Sequence, residues 1–215
     1  MDFQLKYANE LDKLKKNEKD IVFFRELALN RDDFNTRKEI ITGLLKFAKE
    51  NSLDNVRAWA YYFLGWYNFD KTHYYKAVEC YLMSNDIFEL VNNRTGLIYA
   101  CNGLTNVYCQ IGQFKLSNEW GLKGISLCEE TKNTEALVTL LINTGINYIQ
   151  MKYFSKGREI FHSLEIIDYE LTKIQQISCY LALGEIEINI GEPNLALSYI
   201  DNALKIESEL EIYTD

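Results

Sequence analysis

The chain has 215 residues, with 31 acidic against 23 basic side chains and a formal net charge of −8. Such an excess of acid leaves little clustered Lys and Arg for phosphate backbones or anionic lipid, and no apolar run reaches the roughly 20 residues that cross a bilayer, so neither nucleic acid nor membrane is an expected partner. One proline and 11 glycines are too little turn punctuation for an all-β chain of this size, and helices are expected throughout.

The start, Met1 to Glu10, is mixed polar and lacks a basic stretch followed by an apolar signal core. A cytoplasmic location follows as the expectation. A charged helix is predicted from about Phe3 to Lys16. Apolar residues then recur at helical spacing in Ile21–Leu29 and Ile40–Ala48. Residues 1–57 read as a degenerate N-terminal helical unit that closes one end of a stack.

From residue 58 onward the chain repeats. Small residues stand at Ala77, Ser117, Gly157 and Ala196, in steps of 40, 40 and 39. Twelve residues before each stand Gly65, Thr105, Gly145 and Gly184, and bulky Tyr81, Phe161 and Ile200 follow three of the second small positions by four. A helical glycine costs about 1 kcal/mol relative to alanine, so glycines at equivalent places need a reason, and close approach of a neighbouring helix supplies one. Small residues form the hole, and bulky side chains the knob. Lys71-Thr72, Gly112-Gln113, Lys152 and Gly191-Glu192 are predicted to divide helix A from helix B within each unit. Asn92-Asn93, Lys132-Asn133 and a weaker break at Glu170 to Thr172 divide the units. Moving the frame back by 40 puts Arg25 and Arg37 where small residues belong, which marks the first unit as irregular.

Tyr61, Leu64, Gly65, Ala77, Tyr81 and Ser84, and again Tyr180, Leu183, Gly184, Ala196 and Ala203, follow the pattern of the tetratricopeptide repeat (TPR) family, which the chain resembles over about residues 58–210. The resemblance implies an all-α fold, a right-handed α-α superhelix of stacked helical hairpins, here four of them at about 58–93, 94–133, 134–170 and 171–210. It departs in its period of 40 where the family usually has 34, so helices longer by about a turn and a half per hairpin are expected. The longer form resembles arrays in bacterial regulators and kinesin light chains.

Chemistry finds little foothold. His73 and His162 fall in different units with no nucleophile elbow or phosphate-cradling loop. The five cysteines, Cys80, Cys101, Cys109, Cys128 and Cys179, are odd in number without a C-x-x-C pair and read as free thiols. No enzyme, cofactor or metal is expected. The A helices carry the sharper signal, since the resemblance places their inner faces on a concave surface. Trp59, Tyr62 and Trp66 fall on one stripe, either a docking platform or filling for the junction with the first unit. Tyr99 precedes Asn102, Asn106 and Gln110, and the next unit repeats the amides at Asn143, Asn147 and Gln150. Amides donate and accept, which suits them to the backbone of an extended peptide; the alternative is that Asn143 or Asn147 bridges helices within the stack. Glu185, Glu187 and Asp70 point to a neutral or basic ligand.

The expected function is therefore a protein- or peptide-binding scaffold. The resemblance suggests the sensory region of a bacterial signalling protein, such as one ahead of a diguanylate cyclase domain, and the Lys to Arg ratio of 17 to 6 fits an AT-rich bacterial gene. The alternatives are a cytoplasmic receptor for a signalling peptide and a homo-oligomerisation module. Because no capping helix follows the last hairpin before Asp215, either a longer polypeptide or a homodimer through that end is expected.

Overall fold

The computed structural model describes residues 3–30 and 33–211; residues 1–2 and 212–215, where the outer domain limits were expected, lie outside the described residues. In chain order the helices are α1 (Phe3–Lys6), α2 (Ala8–Lys16), α3 (Ile21–Leu29), α4 (Phe34–Glu50), α5 (Asp54–Asp70), α6 (Tyr74–Leu90), α7 (Arg94–Gln110), α8 (Phe114–Thr131), α9 (Thr134–Gln150), α10 (Phe154–Ser163), α11 (Lys173–Ile190) and α12 (Pro193–Glu211). No strand occurs among the described residues.

A single joint recurs. Ser52, Thr72, Asn92, Gly112, Lys132 and Lys152 all adopt the left-handed conformation, with φ between 53° and 75°, and each stands 20 residues after the last. The residue that follows returns its N–H to the helix just ended: Leu53 to the Ala48 carbonyl at 2.9 Å, His73 to Asn68 at 2.8 Å, Asn93 to Phe88 at 2.9 Å and Tyr153 to Tyr148 at 2.8 Å. These bonds satisfy carbonyls that every helix end leaves open. Where an asparagine comes next it opens the following helix, Asn93 Oδ1 accepting from Gly96 N at 2.8 Å and Asn133 Oδ1 from Ala136 N at 3.1 Å. The pairs Asn92-Asn93 and Lys132-Asn133, read as breaks, are thus each a stop followed by an N-cap.

Two compact units result, Met1–Ile111 and Gly112–Asp215. In the first, α5 packs on α6, α6 on α7, and α5 touches both α3 and α7. Tyr81 of α6 is the knob expected from the repeat. It is buried, and a β-carbon at Gly65 or Gly103 would come within 2.6 or 2.7 Å of its ring. Ser84 Oγ donates to the Ala58 carbonyl at 2.9 Å, tying α6 to α5.

The N-terminal segment departs from one continuous charged helix. It breaks at Tyr7 into α1 and α2, because Phe3 and Tyr7 turn inward onto Phe24, with ring centroids 6.2 and 5.8 Å away. Phe3 also seats against Gly43 of α4. Arg37, the misfit of the repeat, is fully buried. Its Nε donates to the Ala28 carbonyl at 2.9 Å and its Nη1 to Asp70 at 2.8 Å, while its guanidinium lies 5.1 Å from the Phe34 ring centroid. The side chain occupies the space that a small residue would leave for a closer helix.

In the second unit α8 packs on α9, and α9 to α12 follow in sequence, with α9 also touching α11. Phe161 fills the gap at Gly145, where a β-carbon would meet its ring at 2.8 Å, and Ile200 does so at Gly184 at 3.3 Å. The helix α10 is short. It passes through a 3-10 turn at Leu164–Ile166, and the chain restarts where the Thr172 hydroxyl caps Gln175 N and the Gln175 side chain accepts from Thr172 N. The weak break expected near Glu170 is this irregular stretch.

Candidate ligand-binding surfaces

The aromatic stripe of α5 lies mostly inside the first unit. Trp59 and Tyr62 are buried. The Trp59 ring stands 5.0 Å from Phe88 and 5.4 Å from Tyr99, and Tyr62 stands 5.7 Å from both Tyr81 and Tyr99. Burial holds the Tyr62 phenol neutral, pushing its pKa far up. These rings join α5, α6 and α7; Trp66, one turn further along α5, is half-buried.

Beside this cluster an open cleft of about 910 Å³ is lined by Ile21, Val22 and Arg25 of α3, Trp59 of α5, Tyr99 of α7 and the turn after α6. The Arg25 guanidinium lies 5.0 Å over the Tyr99 ring, a cation–π contact. Asn93 donates to Asn55 at 2.6 Å at the edge of the cleft. Tyr99, Asn102, Asn106 and Gln110 step by three, four and four along α7 and so share one stripe. Tyr99, Asn102 and Asn106 are half-buried and Gln110 is exposed.

In the second unit the amides separate. Asn147 is fully buried, and its Nδ2 donates to Ser117 Oγ at 2.6 Å, bridging α9 and α8; this is the bridging alternative that the sequence offered. Asn143 is half-buried, and Gln150 and Glu185 are exposed. Asn118, also buried, carries both amide atoms without a hydrogen-bonding partner among the described residues.

Two of the three carboxylates that suggested a basic ligand are engaged within the protein. Asp70 receives Arg37. Glu187 is buried and held by Arg158, whose Nε meets its Oε1 at 3.0 Å and whose Nη2 meets its Oε2. Of the three, Glu185 alone is exposed. Arg25 was missed as a surface residue, although its place at a small-residue position was the signal.

No group of His, Cys, Asp and Glu able to hold a metal occurs among the described residues. His73 is exposed, and His162 Nδ1 lies 3.2 Å from Glu165, three residues further along the chain. No helix among the described residues is long and apolar enough to cross a membrane.

The fold is that of TPR-like repeat proteins. The chain superposes on BtubC (BKLC) from P. vanneervenii with a TM-score of 0.78 at 13% identity, covering 97% of this chain and 86% of that one. It also superposes on a Podosopora anserina chain of nearly identical TPR-like repeats ascribed to a kinesin light chain, with a TM-score of 0.67 at 13% identity, covering 89% of this chain and 96% of that one. No protein-family pattern and no curated protein matches the sequence.

Proposed function

We propose that this chain is a non-catalytic TPR-like scaffold that takes an extended peptide segment of a partner protein along α7 of its first unit. The observation that carries this reading is the single stripe of Tyr99, Asn102, Asn106 and Gln110, which starts at the wall of the 910 Å³ cleft and runs along the helix from half-buried Asn102 and Asn106 to exposed Gln110. The cleft would receive an apolar or aromatic anchor against Trp59 and Tyr99, and the amides would pair with peptide N–H and C=O groups whatever the sequence. In the second unit Asn143, Gln150 and exposed Glu185 are the corresponding candidates, with Glu185 favouring a neutral or basic segment.

Random peptides displayed on phage and selected on the full chain test this. The selected peptides are expected to lose at least about tenfold in affinity on Asn102→Ala with Asn106→Ala, with helicity and melting temperature unchanged. Peptides that bind this variant as well as the wild type would refute the assignment. We place the scaffold in a bacterial signalling protein, of the type that regulates a diguanylate cyclase, on the resemblance of its long repeats. Reading the whole gene tests that placement: a cyclase domain in the same gene supports it, and an unrelated catalytic domain removes it.

A further inference from the structure

The last hairpin exposes an apolar face. On α11 Ile174, Leu181 and Ile188 recur every seven residues, and on α12 Leu197 and Leu204 do the same; all five are exposed. A seven-residue spacing keeps side chains on one side of a helix, so these residues form one stripe on each helix.

The repeat says what such a face does. Leu181 and Ile188 stand 39 residues after Ile142 and Ile149 of α9. Those two isoleucines are buried in the second unit's core together with Leu183 and Ile186 of the helix that packs on them. Leu197 stands 39 residues after Arg158, which reaches across to Glu187 on that same helix. The face on α11 and α12 therefore continues the surface on which one hairpin receives the first helix of the next.

Its rim is acidic. Glu185 lies one turn from Leu181 and Ile188, Asp201 one turn from Leu197 and Leu204, and Glu207 one turn beyond Leu204, and all three are exposed. These helices carry two lysines, of which Lys173 meets Glu209 at 3.2 Å, and Lys205 stands without an ion pair among the described residues. Two copies of this chain meeting here would set acid against acid. We infer that the α11–α12 face docks a basic amphipathic helix of a partner protein, its apolar stripe on the leucines and its cations on the rim. This site is separate from the α7 stripe.

The test uses the full chain and a labelled Leu/Lys amphipathic peptide of about five helical turns, with a Leu/Glu peptide of the same pattern as counterpart. Anisotropy should show the Leu/Lys peptide binding, with affinity falling as salt rises, and the Leu/Glu peptide weaker by at least about tenfold. Leu181→Gln with Leu197→Gln, both at exposed sites, should cost the Leu/Lys peptide a similar factor, and Asn102→Ala with Asn106→Ala should cost it nothing. Three results would each overturn the assignment: no Leu/Lys binding, equal binding of the two peptides, or binding indifferent to the paired Gln variant. So would a stable dimer of the chain alone that Leu197→Gln dissociates, since the face would then belong to a second copy.

Discussion

At the scale of single residues, the contact between Tyr81 and Gly65 shows how a helix-weakening residue can be the stabilising one. An alanine at 65 would gain about 1 kcal/mol of helix propensity. Its methyl carbon, however, would sit 2.6 Å from the Tyr81 ring, and that ring is held by Tyr62 and by Gly103 on the other side. Overpacking of this kind costs about 1–3 kcal/mol. Gly65→Ala is therefore expected to lower stability, by up to about 2 kcal/mol once the propensity gain is subtracted, read from the urea midpoint; a midpoint at or above the wild type would show that the ring can move aside. The same logic made this contact legible in the sequence, since a glycine that recurs inside helices opposite a bulky residue marks a close approach. Arg37 was legible only as a misfit. Its bonds to Ala28 and Asp70 join positions nine and 33 apart, and no local pattern predicts that pairing. The Trp59 and Tyr62 stripe was equally ambiguous, because a helical periodicity reports which residues share a face and not what covers it.

At the scale of elements, α4 to α9 are each 17 or 18 residues long and end in the same left-handed joint. Polar pairs such as Asn92-Asn93 gave this away, because Asn tolerates the left-handed region and also caps the next helix. Lys71-Thr72 was legible as a break too, but the left-handed conformation of Thr72 was not, since a β-branched residue rarely adopts a φ of 59°. Thr72 holds that conformation because the helices on both sides fix the turn, at a cost of about 1–2 kcal/mol. Thr72→Gly should recover about 1 kcal/mol of this, seen as a rise in melting temperature, whereas an unchanged or lower one would mean that the threonine side chain contributes contacts of its own. The split of the N-terminal helix at Tyr7 and the early end of α10 were not legible. Both depend on where Phe3, Tyr7 and Leu164 find a buried surface, which is a property of the packed unit and not of the segment.

At the scale of the whole molecule, the thiols give the protein a titration signature. Burial pushes Cys80, Cys128 and Cys179 up from 9.0 to about 11, with Glu79 and Glu129 adding to the effect at Cys80 and Cys128. Tyr62 moves in the same direction for the same reason. Each group has a folded pKa above its unfolded value. The stability that the thiols contribute is complete below about pH 9, where both states are protonated, and is lost as pH rises towards about 11, because the unfolded chain gives up its protons first. Urea midpoints should therefore fall across that window. Replacing the three cysteines by alanine should lower stability overall but flatten the slope; an unaltered slope would assign the alkaline loss to other groups. Fold class and the repeat frame could be read from the chain because both rest on periodicity, which is written locally. Which polar groups remain accessible could not, because Asn147 and Asn106 look alike until a neighbouring helix closes over one of them.

The left-handed residue every 20 positions also bears on how such a protein can grow. Because the joints at Thr72 and Gly112 have the same handedness, a cassette cut after one and pasted in after the other arrives with matching ends. Elongation by gene duplication then needs no invention of a linker, and length becomes something that selection can adjust in whole modules.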